Sequence, residues 1–435
     1  MRKWLILSMC ACLLTGCTRY NPAEMPDIVQ EETESGAAGN PASGSDAVKG
    51  GSVETGADGE QGRADRTPEN SKNGENVPKG PLAVKLEKIL KITDGDDLLD
   101  QREPVKVKGI YVSAYVAGNE KMMDNIIKQI DATELNAVVI DFKNDDGRIT
   151  APTDSEMFSE IDACKAYIPD LEALLQKLKE HDIYTIARIV AFKDPYLAEK
   201  KPEWSLKKAD GSLYRDKKGL AWVNPYRQEV WDYLVEAGTK AADAGFDEIQ
   251  FDYIRFATDS TMREVVFDEE ETKGRSKTDI IAEFTEYAFD KLTPLGVFVS
   301  ADVFGAIIGS EEDAGAVGQI YGEMAQNLDY ICPMIYPSHY GDGNFGLDHP
   351  DMHPYETILG ALKKSEAELS TYPEEERQAI VRPWLQDFTA TYLKHHIKYG
   401  NEEIRRQIQA VYDAGYEEWI LWNASNNYHY GGLEQ

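Results

Sequence analysis

Gly245-Phe246-Asp247-Glu248-Ile249-Gln250-Phe251-Asp252-Tyr253-Ile254-Arg255-Phe256 follows a run with helical periodicity, 227–244, which ends at a glycine. Its apolar positions are rich in Ile and Phe, and it ends in a carboxylate, rings and an arginine. A short apolar strand entered from a helix is one half of a parallel β/α unit. Working outward, the same alternation recurs. Strands are expected at 107–116, 137–143, 184–192, 248–256, 297–305, 330–336, 380–388 and 419–424, with helices such as 171–180, 227–244, 280–292 and 402–414 between them. Ala244-Gly245 and Ala414-Gly415 supply helix stops. Eight such units predict the α/β class and a (β/α)8 TIM barrel over 105–431. The rival, a doubly wound open sheet, carries a glycine-rich phosphate loop after its first strand. Here that strand ends Tyr111-Val112-Ser113-Ala114-Tyr115.

Upstream, the composition changes. Arg2 and Lys3 precede an apolar stretch, 4–14, too short to span a bilayer but suited to a secretory signal. Leu14-Thr15-Gly16-Cys17 follows. The order is that of a bacterial lipobox, so 1–16 is expected to be a lipoprotein signal and Cys17 the lipidated residue. The chain is then exported and anchored to a membrane through lipid on Cys17. Residues 17–81 are poor in large apolar side chains and read as a disordered linker. Residues 82–104 read as a short helical lead-in. Of the remaining cysteines, Cys164 and Cys332 form no disulfide framework, and Cys332 in its apolar strand reads as a small buried side chain.

The formal net charge is −31, and 18–80 holds only twelve acidic against six basic residues, so most of the excess falls on the globular part. Nucleic acid is excluded as a partner, because phosphate binding needs a basic face. A neutral or cationic substrate fits better.

Active sites of such barrels lie at the C-terminal ends of the strands. The residues there include Asp141 and Lys143 (second strand), Arg188 (third), Asp252 and Arg255 (fourth), Asp302 (fifth), Tyr336 and His339 (sixth), Trp384, Gln386 and Asp387 (seventh), and Trp422 and Asn423 (eighth). Glycosidic cleavage needs two carboxyl groups across the bond. Rings stack on sugars, and amides and cations bind hydroxyls. Some of these aspartates could equally serve as structural partners of Lys143, Arg188 or Arg255.

The fourth-strand stretch, together with Pro333-Met334-Ile335-Tyr336-Pro337-Ser338-His339-Tyr340, Arg382-Pro383-Trp384-Leu385-Gln386-Asp387-Phe388 and Leu421-Trp422-Asn423, resembles a bacterial family of glycosyl hydrolase domains. That family is itself distantly similar to α-amylase-type TIM barrels. The resemblance covers about 107–430 and implies cleavage of a polysaccharide or oligosaccharide. It implies Asp252 as nucleophile, Asp302 as general acid and Asp387 as the carboxylate steadying the transition state. In α-amylase-type barrels the fifth-strand acid is Glu, one methylene longer than Asp302. Asp141, Lys143, Arg188, Arg255, Tyr336, His339, Trp384, Gln386, Trp422 and Asn423 are then expected to bind substrate. The fourth strand is also similar to the chitinase motif of spaced aspartates, but Gln250 and Ile254 stand where that motif needs acids.

No cofactor and no metal are expected. His349 and His353 have the spacing of a helical zinc site, but Pro350 and Pro354 break the helix. The run 268–271 reads as a solvated acidic segment, and His395-His396 as surface. Trp204 and Trp222 could line a groove, whereas Trp231 on its helix reads as core. Two other functions stay open: a carbohydrate-binding barrel without catalysis, and a metal-dependent deacetylase or amidohydrolase.

Overall fold

The computed structural model describes residues 102–373 and 379–435. The signal, Cys17, the linker and most of the lead-in lie outside the described residues. The described end of the lead-in, 102–104, is not helical. There Arg102 donates from Nη1 and Nη2 to the two oxygens of Asp329 at 2.7 Å.

The strands are β1 (Lys108–Val112), β2 (Ala137–Lys143), β3 (Tyr184–Val190), β4 (Glu248–Asp252), β5 (Phe298–Phe304), β6 (Tyr330–Met334), β7 (Ile380–Val381), β8 (Trp384–Gln386) and β9 (Trp419–Trp422). Arg382-Pro383 splits one stave into β7 and β8, because proline cannot donate to the ladder. All pairs are parallel, β5 pairs β6, and β9 pairs β1, so the sheet closes. With β7 and β8 as one stave, this is the expected eight-stranded barrel.

The larger helices of the outer layer are α1 (Glu120–Ile130), α2 (Leu171–Glu180), α3 (Gln228–Ala244), α4 (Lys277–Leu292), α5 (Pro354–Leu369) and α6 (Asn401–Asp413). Their apolar stripes explain why they pack on the barrel. In α1, Met123, Ile126, Ile127 and Ile130 recur at helical spacing and are buried. Gly245 ends α3 at φ 110°, a left-handed conformation that costs glycine little. The strands end earlier than the sequence suggests. The chain after β1 turns at Ser113, whose side chain caps a short helix, Ala114–Ala117. After β9 the chain passes through a 3-10 turn, Tyr430–Gly432.

Strand alternation sorts the side chains. Val139, Ile186, Cys332 and Ile420 fill the interior, while neighbours such as Val138, Ile140 and Leu421 face the helices. At the N-terminal end of the interior, Arg382 donates to both oxygens of Glu248 at 2.9 Å and from Nε to Glu418 at 2.9 Å. Its guanidinium lies 3.7 Å from the Tyr330 ring centre. This buried ion triad plugs the floor, and the opposite end of the interior is left for the polar residues described next.

Candidate active site

Three carboxylates meet one arginine at the C-terminal end of the barrel, and a fourth stands beside them. Arg188 on β3 is buried, and all three guanidinium nitrogens are used. Nε and Nη2 donate to Asp252 Oδ2 at 2.9 and 2.6 Å. Nη1 donates to Asp141 Oδ1 at 2.7 Å and to Asp145 Oδ2 at 3.0 Å. The second oxygen of Asp141 accepts the Tyr111 hydroxyl at 2.6 Å. Tyr111 in turn stacks on Trp422, with centroids 4.3 Å apart.

Asp252 and Asp302 end up side by side for a reason of register. Phe251 pairs with Ala301 across β4 and β5, so the residues that follow stand at one level and share the inner face. Asp252 is held by Arg188 and by the Tyr253 backbone N–H, which reaches its Oδ1 at 2.6 Å. Tyr253 sits at φ 52°, a left-handed conformation rare for a bulky residue. Backbone strain of this kind gathers at functional sites.

Among the described residues no cation lies within bonding distance of Asp302. Its Oδ1 accepts the Trp384 indole N–H at 2.6 Å. Burial, with the Asp252 carboxylate alongside, pushes its pKa well above the ordinary carboxylate range. Asp141 is also raised, since burial outweighs Arg188. At Asp145 burial works upward, but Arg188 and then Lys193 overcome it and hold the carboxyl below its usual value.

Several residues expected to contact substrate are bonded within the protein. Lys143 is fully buried, bonded to Val190 O at 2.6 Å and paired with Asp194 at 2.7 Å. A register shift between Asp141 and Lys143 turns it away from the mouth. Gln386 spends its amide on Ser338 N, Asp351 and Phe388 O. Asn423 ties its own loop, donating to Asp387 O and Asn427 O and accepting from Ser425. Arg255 is buried over the rings of Phe304, Tyr253 and Trp222 at 4.4, 4.8 and 5.3 Å.

Asp387 stands apart from the cluster. Both of its oxygens go to His429, one to the backbone N at 2.9 Å and one to Nδ1 at 2.5 Å. Burial raises its pKa, and these bonds oppose the rise. Tyr336 is buried near Asp302, and His339 meets its ring edge-on at 5.1 Å. Trp384 supports Asp302 from inside the barrel rather than offering a face to solvent. Trp204 is half-buried, while Trp222 and Trp231 are core.

Sequence reasoning missed Tyr111, Asp145, Lys193, Tyr253 and His429. Tyr111 had a signal: it falls on the inward phase of β1. Asp145, in Asn144-Asp145-Asp146-Gly147 after β2, had a weaker one. The pairing of His429 with Asp387 had none. Among the described residues no group of three or more His, Cys, Asp or Glu side chains is arranged to hold a metal ion.

The family model described as "Putative glycosyl hydrolase domain" matches residues 109–428. The chain belongs to this family. The match spans nearly the whole barrel, from β1 to the residue before His429. Among solved structures, a hypothetical protein from Ruminiclostridium thermocellum is similar at 37% identity, covering 45% of this chain and 97% of that one, with a TM-score of 0.42. The PgaB (BpsB) glycoside hydrolase domain from Bordetella bronchiseptica is similar at 12% identity, covering 74% and 94%, with a TM-score of 0.49. The spore cortex-lytic enzyme SleL from Bacillus megaterium is similar at 12% identity, covering 76% and 74%, with a TM-score of 0.43. No curated protein matches the chain.

Proposed function

We propose that this member of the glycosyl hydrolase-domain family cleaves glycosidic bonds of a polysaccharide or oligosaccharide with Asp252 and Asp302. One observation carries the reading. Two carboxyl groups stand at one level on adjoining strands in opposite surroundings, one bonded to a guanidinium and one buried without a cation. Environments that separate two carboxyls in this way assign the base and the acid. Asp302, kept protonated, gives its proton to the leaving oxygen. Asp252 forms the bond to the anomeric carbon as the bond to that oxygen breaks. Water then cleaves the glycosyl ester, with Asp302 as base.

The test is release of reducing ends by the purified full chain from α- and β-linked glucans, amino-sugar polymers and peptidoglycan. Asp252→Asn and Asp302→Asn serve as controls. Release that persists in both variants sinks the assignment. A non-catalytic carbohydrate-binding barrel is the second reading. It is favoured by the occupied state of Asp252, whose two oxygens already accept three N–H groups. Binding of a polysaccharide without any cleavage would select it.

The enzyme acts outside the cytoplasm, on a membrane-held tether. Support comes from the basic start, the short apolar run and Leu14-Thr15-Gly16-Cys17. Cys17→Ala should move the protein from the membrane to the soluble fraction. An unchanged membrane fraction would refute the anchor.

A further inference from the structure

We infer that His429, oriented by Asp387, forms a sugar-binding subsite on the rim of the mouth, distinct from the carboxylate cluster. The inference rests on the glycoside hydrolase reading and adds a binding residue to it.

The pair is built rather than incidental. Asp387 follows β8 and is fully buried, with both oxygens committed to His429. The loop that delivers His429 is pinned across the rim. Tyr428 donates to Tyr111 O at 2.6 Å, and Asn426 donates to the same oxygen at 3.1 Å. Asn423 fastens the start of the loop to Asp387 O at 2.6 Å. The imidazole therefore hangs from a brace joining the ends of β1 and β8.

With Nδ1 bonded to the carboxylate, Nε2 is the ring's other polar atom and can bond a ligand. The Nδ1 edge faces the buried carboxylate, while the side chain is 38% exposed, which leaves Nε2 on the solvent side. Among the described residues nothing bonds Nε2. A buried carboxylate spent on aiming an exposed imidazole is an arrangement that orients a ligand-binding atom.

The surroundings suit a sugar. Phe388, next to Asp387, meets the Tyr336 ring at 6.0 Å, which links this part of the rim to the wall beside Asp302. Tyr392, after β8, and Tyr115, in the short helix after β1, are exposed and can stack on pyranose faces. Here Asp387 is a positioning residue that acts through His429, and Nε2 bonds a sugar hydroxyl.

The experiment measures binding in the full chain carrying Asp302→Asn, so that no substrate is consumed. The probes are hexasaccharides of glucose, xylose, N-acetylglucosamine and glucosamine, read by calorimetry. His429→Asn is added because its amide can still reach Asp387 but has no atom at the Nε2 position. Affinity should fall about three- to tenfold, the loss of one hydrogen bond, with Tm unchanged. His429→Gln, which places a polar atom near Nε2, should recover part of it. Equal affinity in parent and His429→Asn overturns the subsite alone. If neither the parent nor the wild type binds any probe, the sugar reading fails and the subsite with it.

Discussion

Asp252 and Asp302 leave neighbouring strands at the same level of the barrel, yet only Asp252 meets the Arg188 guanidinium. Asp302 meets an indole N–H instead. The difference follows from Arg188 rising from β3, on the far side of β4 from β5. A cation on that side bonds only the nearer carboxyl, and burial, with Asp252 alongside, raises the pKa of the other.

Replacing Asp302 by Asn should reduce activity about 10²–10⁴-fold, the usual contribution of a general acid, while raising stability. The sign follows from the raised pKa. The folded state holds the proton more tightly than the unfolded state, so the stability it contributes is present below the unfolded value and is lost as pH rises through the folded one. Asparagine carries no such penalty and keeps the Trp384 bond. Thermal unfolding at pH 7 should show an increase of about 2–4 °C. A lower Tm would mean that Asp302 is ionised and satisfied in the fold.

Trp384→Phe removes the one hydrogen bond that lowers the Asp302 pKa. The carboxyl should then stay protonated to higher pH, and the alkaline limb of the kcat profile should move upward. A limb that stays in place would assign that ionisation to another group.

Arg188→Met should destabilise the fold by about 3–5 kcal/mol, because removing one partner strands buried charge. Its cost should depend on pH. The depressed Asp145 pKa contributes stability above the ordinary carboxylate range and loses it as pH falls through the lowered value. Urea unfolding should therefore show a larger deficit for the variant at neutral pH than at about pH 2.5, below the ordinary carboxylate range. A deficit independent of pH would contradict the charge account. Lysine cannot restore the fork, since a single ammonium cannot bond Asp252 and Asp141 in that geometry.

At the barrel floor, Arg382→Met leaves Glu248 and Glu418 facing each other without their cation. Burial already raises the Glu248 pKa despite Arg382. The variant should lose about 3–5 kcal/mol by urea unfolding. A neutral result would show that both glutamates take up protons at little cost.

Gly305, just past β5, has no room for a side chain. A Cβ there would lie 2.3 Å from the Tyr340 hydroxyl and 2.7 Å from Met334 O. Gly305→Ala should cost about 1–3 kcal/mol by overpacking. A smaller loss would mean that the loop after β6 yields.

The sequence alone determined the eight staves and, by alternation, the inward face of most of them. Strand alternation is local, and β/α repetition leaves few ways to close a sheet. From this the convergence of Asp141, Arg188, Asp252 and Asp302 on one mouth was legible. Which of these groups bond to one another was decided by the tertiary structure. Arg188 and Asp252 lie 64 residues apart, and Asp387 and His429 lie 42 apart. Such pairings depend on closure and register, where a slip of one residue reverses the face. The shift after Asp141 shows this: it carries Lys143 to Asp194 and out of the site. Alternation assigns a side chain to a face of the sheet, but its bonding partner is set by how the closed barrel and its loops come together.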